Sequence, residues 1–278
     1  MARVARAEQR GEQKEEVPVS DHAVLRERRG SVEILTINRP DQRNAINGAV
    51  SRGIASALDE LATDDEVAVV ILTGAGDRAF CAGMDLKAFA AGEMPETSSI
   101  SGGFAGITRR SFGKPLIAAV NGVAVAGGFE IVLSCDLAVA ADHATFGIPE
   151  VTRGLLAAAG GLVRLPKRLP LAVALELALT GLPIDAERAR ALGLVNRVVP
   201  RDQTLDAALD LAEVIAANAP LSVRASKAVL RAAADTDEAS GWRINDDAAA
   251  VVSRSTDARE GALAFAEKRP PVWTGRHP

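Results

Sequence analysis

Apolar and polar positions first alternate over Ser31–Asn38 (SVEILTIN), a β-rich run that predicts a strand ending at Arg39-Pro40. Over Asn47–Leu61 the apolar residues Val50, Ile54, Ala57, Leu58 and Leu61 return at helical intervals, predicting an amphipathic helix. Val67–Thr73 (VAVVILT) is an unbroken, β-branched run, the pattern of a strand buried on both faces, and Leu116–Val120 repeats it. Gly92–Gly113 is rich in Gly and Ser and reads as a long mobile loop. Helical spacing then dominates, over Leu171–Leu179, Ala186–Leu192, Leu205–Asn218, Ser222–Ala234 and Thr256–Lys268. Strands and helices interleave early and helices prevail late, so the expected class is α/β with a helical C-terminal part. No fixed-period internal repeat is present.

The first twenty residues carry no such pattern. Arg3, Arg6, Arg10 and Lys14 alternate with Glu8, Glu12, Glu15 and Glu16, as in a solvated, disordered arm. A secretory signal would need an apolar run there, and a transit peptide would be poor in acids. Leu116–Ala141 is apolar enough to raise the question of a membrane span. It contains Asn121, Glu130 and Asp136, however, and a bilayer-spanning helix would resist two carboxylates near its middle. The better reading is a buried piece of a soluble core that carries a polar site.

Composition narrows the chemistry. The chain has 278 residues, with 32 Lys+Arg against 36 Asp+Glu, so its net charge is −4 and no strongly basic block marks a nucleic-acid surface. Three His (His22, His143, His277) lie far apart, and Cys81 and Cys135 form no CxxC, so no metal-ligand set can be read. So few cysteines in so long a chain suit a reducing compartment, and the cytoplasm is the expected location. An enzyme of this composition would work with carboxylates and backbone amides.

Two apparent nucleotide motifs fail on context. Gly74-Ala75-Gly76-Asp77-Arg78-Ala79 fits a loose dinucleotide pattern, but Phe80-Cys81-Ala82-Gly83 follows where an amphipathic helix is needed. Gly106 to Gly113-Lys114 has the wrong glycine spacing for a P-loop, and Pro115 replaces the Ser or Thr. Two other glycine-bearing turns matter more together than apart. Ala82-Gly83-Met84-Asp85-Leu86-Lys87 follows the first buried strand and its turn, and Ala126-Gly127-Gly128-Phe129-Glu130 follows the second. Taken singly, such turns are more often packing devices. Amides left unpaired before a helix can face a ligand oxygen, and two converging amides would make an oxyanion hole. Glu130 starts an otherwise apolar helix, and Glu150 lies twenty residues on, after Phe146-Gly147-Ile148-Pro149. Burial would raise a glutamate pKa toward the range useful for proton transfer. Asp136, the third acid of this stretch, suits a structural role, capping or pairing at a strand end.

FCAGMDLK (Phe80–Lys87), KPLIAAVNGVAVAGGFE (Lys114–Glu130), CDLAVAADHATFGIPE (Cys135–Glu150) and EGALAFAEKRPPVW (Glu260–Trp273) resemble the enoyl-CoA hydratase/isomerase, or crotonase, family. The resemblance covers about residues 20 to 276 and rests on several long motifs in family order. It implies a crotonase-like spiral of ββα turns over residues 21–210 and a helical oligomerisation region over 211–278. It implies a homotrimer or dimer of trimers as the assembly, and an acyl-CoA thioester as substrate. Coenzyme A then arrives on the substrate, with no separate cofactor and no metal. By the same resemblance the backbone amides of Met84 and Gly127 hold the thioester oxygen, and Glu130 and Glu150 place a water and move a proton. Glu150 falls to the proton at Cα and Glu130 to the water. Ala45, Ala82, Asp85, Leu86, Lys87 and Gly128 line the substrate or its coenzyme A. Lys268 matches a position that reaches a neighbouring subunit's coenzyme A.

Departures and rivals remain. Met84 stands where many hydratases have a small residue, and the run Arg153–Ala157 lacks a common proline. The Lys87–Thr108 loop and the PPVW tail look like the carnitinyl-CoA dehydratase branch, which adds or eliminates water on a trimethylammonium-bearing acyl-CoA. Such a cation would want an aromatic or acidic cage, and with no Tyr and only seven Phe and two Trp none can be located. The leading expectation is hydration of a 2-enoyl-CoA. The alternatives are the carnitinyl-CoA reaction, Δ3-Δ2 isomerisation, which needs only one carboxylate, and a non-catalytic acyl-CoA-binding protein, which would be free to lose both. A serine hydrolase is disfavoured, because no G-x-S-x-G elbow is present.

Overall fold

The computed structural model describes residues 22–90 and 102–275. The arm expected over residues 1–20 and residues 92–101 of the expected loop lie outside the described residues. Strands β1 (Val24–Arg29) and β2 (Val32–Ile37) form a hairpin, and the chain then enters helix α1 (Gly48–Thr63). Asn47 caps that helix, its side chain accepting the Val50 N–H at 3.1 Å. Next come β3 (Val69–Gly74), β4 (Ala79–Cys81), the short helix α2 (Leu86–Ala90), β5 (Leu116–Val120) and β6 (Val123–Val125). Helix α3 (Gly127–Ser134), β7 (Leu137–Ala141) and β8 (Thr145–Gly147) complete the motif-rich region. The remainder comprises α4 (Gly161–Arg168), α5 (Leu171–Thr180), β9 (Ile184–Asp185), α6 (Ala186–Ala191) and β10 (Arg197–Val199). Four helices follow, α7 (Thr204–Ala216), α8 (Pro220–Ala233), α9 (Glu238–Ser253) and α10 (Thr256–Glu267).

The larger sheet runs β1-β2-β3-β5-β7-β10, parallel throughout except for β1. Its inner strands β2, β3, β5 and β7 bury both faces, with period-two alternation dividing them between two cores. Leu35, Val70, Leu72 and Ala118 pack on the side of α1 and α3. Ile34, Ile71, Ile117 and Val139 pack on the other side, beneath Ala208, Leu209 and Ala212 of α7. A boundary between residues 210 and 211 falls inside α7, a helix bound to the sheet, and the C-terminal helices begin at α8.

The smaller sheet, β4-β6-β8-β9, positions the site. Its first three strands are parallel and adjacent, with Cys81 opposite Ala124 and Ala124 opposite Phe146. Their C-terminal ends therefore release three segments side by side. The apolar stretch Leu116–Ala141 is divided among β5, β6, α3 and β7, and among the described residues no helix is long and apolar enough to cross a membrane.

One expectation is corrected. The described part of the supposed mobile loop is core: Phe104, Ala105, Ile107 and Phe112 are buried, and a 3-10 turn over Phe104–Gly106 packs on α1. Small residues let the backbone bend while the interspersed aromatics bury it, so the glycine content is a sign of close packing.

Candidate active site

Strand β4 delivers the first turn. Ala82 donates its N–H to the Arg43 carbonyl at 3.1 Å, Ile46 donates to the Gly83 carbonyl at 2.8 Å, and Asp85 donates to the Ile46 carbonyl at 2.9 Å. Met84 is thus pinned on both sides while its own N–H is committed to no acceptor among the described residues. Strand β6 delivers the second turn through Ala126, whose φ of 52° and ψ of −131° are unusual for a residue with a side chain. The N–H of Gly127, the first residue of α3, is likewise uncommitted among the described residues.

Sterics hold the two turns together. Gly83 has φ 90°, and a Cβ built there would lie 2.9 Å from the Ala126 Cβ and 3.2 Å from the Gly127 nitrogen. A Cβ at Gly128 would lie 2.0 Å from the Cys81 carbonyl oxygen, so only glycine lets α3 begin against the end of β4. These contacts bring the Met84 and Gly127 segments into one small region.

The carboxylates enter from α3 and from the segment after β8. Glu130 is buried in the first turn of α3, and its Oε1 accepts the N–H of Gly161, the first residue of α4, at 2.8 Å. Burial raises its pKa above the ordinary glutamate value, opposed by the amides of Gly161, Ala159 and Gly160 and by the charge of Arg164. Glu150 stands in a 3-10 turn over Pro149–Arg153, and its Oε2 is buried with no hydrogen-bond partner among the described residues. Burial, with repulsion from Glu130 adding to it, pushes its carboxyl up to about 7. The segments are registered to each other, since Ala126 donates its N–H to the Gly147 carbonyl at 2.9 Å. Beneath them the Phe129 and Phe146 rings meet at 5.6 Å, tilted by 58°, tying α3 to β8.

Asp85 makes a further link. Its carboxylate pairs with Arg39 at 2.9 Å and accepts the N–H groups of Lys87 and Ala88 at the start of α2. Arg39 also donates to the Ala45 carbonyl at 2.6 Å. Ala82, Asp85, Leu86 and Lys87 therefore share one turn, with Ala45 beside it and Lys87 exposed. Lys268 is placed elsewhere, exposed at the C-terminal end of α10 with φ 54°. Asp136 is structural, as expected: it accepts the Leu116 N–H and pairs with Lys227 and Arg231. Among the described residues no group of three or more His, Cys, Asp or Glu could hold a metal ion.

Two free amides beside two electrostatically coupled glutamates, one of which carries a proton readily near neutrality, are an arrangement for polarising a carbonyl and moving protons at the adjacent carbons. A family profile described as enoyl-CoA hydratase/isomerase matches residues 27–276. The chain belongs to the enoyl-CoA hydratase/isomerase family. Its relatives include the carnitinyl-CoA dehydratase of Proteus mirabilis, 43% identical over 253 residues that cover 89% of this chain and 97% of that protein. Among solved structures, an enoyl-CoA hydratase from Mycobacterium tuberculosis is 51% identical with a TM-score of 0.88, covering 92% of this chain and 100% of that one. A carnitinyl-CoA hydratase from Mycobacterium avium is 49% identical with a TM-score of 0.73, covering 92% and 99%. The expected crotonase fold and hydratase-type enzyme class stand.

Sequence reading passed over three residues of this family member's site. Gly161 supplies the amide that holds Glu130, and the Gly160-Gly161 pair was the available signal. Arg39 read only as the end of a strand, and Arg164 lies in a helix that the sequence pattern did not mark. Their partners lie 46 and 34 positions away respectively, beyond any local pattern.

Proposed function

We propose that this hydratase-family enzyme reversibly adds water across the double bond of a 2-enoyl-CoA thioester. The observation that carries the reading is the pair of coupled glutamates beside the two uncommitted amides of Met84 and Gly127. The amides would hold the thioester oxygen as negative charge develops on it, worth about 2.7–4 kcal/mol per donor in comparable sites. Water oxygen then bonds to Cβ as a carboxylate takes one of its protons, and the other glutamate, entering protonated, gives a proton to Cα. One O–H and one C=C π bond break, one C–O and one C–H bond form, and the carboxyl pair keeps the same number of protons.

The division of labour follows from the surroundings. Glu130 accepts a fixed amide and lies near Arg164, both of which favour its ionised form, so it takes the water proton. Glu150 has an unpartnered oxygen and a carboxyl pushed up to about 7, so it can arrive protonated and serve Cα. Ala45, Ala82, Asp85, Leu86, Lys87 and Gly128 line the substrate in this reading, and Lys87 and Lys268 meet coenzyme A phosphates, Lys268 from a neighbouring subunit. No metal and no cofactor beyond the coenzyme A of the substrate is required. Exposed apolar side chains on α4 and α5, among them Leu162, Leu171 and Leu179, suit burial in a homotrimer or dimer of trimers. A cytoplasmic enzyme fits the two buried, unbridged cysteines.

The second reading, dehydration of a trimethylammonium-bearing acyl-CoA, is favoured by the 42–43% identity to carnitinyl-CoA dehydratases. Both are tested by following the conjugated thioester absorbance with short and long 2-enoyl-CoAs and with a γ-trimethylammonium 2-enoyl-CoA. Loss of absorbance with plain chains supports the first reading. Loss confined to the cationic substrate selects the second, and absence of turnover with every member of the panel removes both.

A further inference from the structure

A cavity of about 980 Å3 opens between α4, α8 and the N-terminal ends of β5 and β7. None of Met84, Gly127, Glu130 and Glu150 lines it. Six cations do, Arg109, Arg164, Lys167, Arg168, Lys227 and Arg231, against two carboxylates, Asp136 and Asp235, which leaves an excess of four positive charges. Pairing within the protein does not discharge it. Lys167 takes Asp235, while Lys227 and Arg231 share Asp136 at 2.6 and 2.7 Å. Among the described residues Arg168 donates to the Cys135 carbonyl at 3.1 Å, and Arg164 to the carbonyls of Thr108 and Ala159. Arg164, Arg168 and Arg109 therefore have no carboxylate partner among the described residues. Burial lowers the pKa of Lys227, Arg164 and Arg168, and the charge of Arg231 lowers each further. Like charges gathered round one recess repel one another unless an anion joins them.

We propose that this cavity binds a diphosphate-class anion, with the guanidinium groups of Arg164 and Arg168 and the ammonium of Lys227 as its inner contacts and Arg109 and Lys167 at its rim. Planar guanidinium forks match the oxygens of a phosphate, and a diphosphate carries about the charge that the lining lacks. The volume lies within the range of about 300–1,000 Å3 usual for small-ligand sites. Lys87 does not line the cavity, whereas Arg164 faces both it and the surroundings of Glu130.

The test is thermal unfolding of the full chain in increasing inorganic pyrophosphate, with sodium chloride at matched ionic strength as control. A parallel titration with ADP distinguishes a free from a nucleotide-borne diphosphate. The expected result is a saturable rise in Tm beyond the salt control. Arg168→Gln should weaken binding about tenfold. Because Arg168 also supports a backbone carbonyl, the Arg109→Gln/Lys167→Gln double variant provides the independent arm. It should fold, weaken pyrophosphate binding about tenfold and retain the wild-type hydration rate. Lys87→Gln should leave the pyrophosphate effect unchanged. A Tm rise no greater than that in sodium chloride overturns the proposal. So does a rise abolished by Lys87→Gln and kept by the double variant, which would place the anion at the coenzyme A site. A double variant that shifts the sedimentation coefficient while pyrophosphate binds neither protein also overturns it, by giving the cavity to a carboxylate of a second copy.

Discussion

The Arg39 guanidinium meets the Asp85 carboxylate at 2.9 Å and joins the segment after β2 to the turn that presents the Met84 amide. Both side chains are largely buried, with 18% and 14% of their surface exposed, so solvent screening weakens this pair less than an exterior one. Burial alone would raise the Asp85 carboxyl, yet Arg39 and the amides of Ala88 and Lys87 hold it below its ordinary value. The ionised carboxylate fixes the start of α2, and the backbone bonds to Ile46 fix the Met84 peptide beside it.

Arg39→Met should therefore loosen the donor that matters most when charge develops on the thioester oxygen. The expected outcome is a fall in kcat of about 10–100-fold with KM changed little, because the lost orientation is realised in the transition state. Arg39→Lys should recover part of the rate. Steady-state kinetics on the best enoyl-CoA of the panel checks this, and a change confined to KM would remove the positioning role.

The coupled glutamates set the pH dependence. The pair must hold one proton, and hydration merely moves it from Glu150 to Glu130, so both directions use the same protonation state. With the Glu150 carboxyl near 7, kcat/KM should fall above about pH 7 in hydration and in dehydration alike. Profiles measured in the two directions should superimpose after scaling. An alkaline limb that appears in one direction only would contradict the shared-proton arrangement.

Glu150 should also weaken the fold it serves. Its folded pKa lies above its unfolded value, so the native state holds the extra proton between about 4.5 and 7 and stability falls as pH rises through that window. Above pH 7 the full penalty is present. Glu150→Gln removes the charge, and at pH 8 it should raise stability by about 1–2 kcal/mol after allowance for solvent screening of a half-buried group. The gain should fade toward pH 4, and turnover should drop by more than substrate binding. Chemical denaturation at the two pH values separates these effects from a general packing change.

Much of this architecture is legible in the chain because burial writes itself as periodicity. The β2, β3 and β5 runs and the α1 stripe are fully packed on a sheet, and each was visible within a residue or two of its ends. Helix α9 has no buried residue in this chain, so no apolar stripe marks Glu238–Ser253. Helix α4 is short and contains Pro166, which hid it in the same way. At the site, the turns and both glutamates stand in recognisable motifs. The Gly160-Gly161 pair marks a turn without showing that its amide meets Glu130, and the Arg39 partner, set by tertiary packing, has no local signature.

Gly83 sets the distance between the two turns. At Gly83 the backbone has φ 90°, and an added Cβ would press on Ala126 at 2.9 Å and approach the Gly127 nitrogen. Gly83→Ala therefore imposes strain of about 1–3 kcal/mol and separates the Met84 and Gly127 amides. Loss of one well-placed donor in comparable sites lowers kcat by about 10²–10³-fold, and a displaced pair should show a fall of that order. Gly30 also has a positive φ, 57°, but its added Cβ would meet nothing within 4 Å. Gly30→Ala consequently shares the backbone strain without the contact, and should lose stability while keeping its turnover per folded molecule. Comparing kcat for the two variants at equal folded fraction distinguishes displacement of the amides from backbone strain: equal losses would refute the proximity argument, and a loss confined to Gly83→Ala would support it.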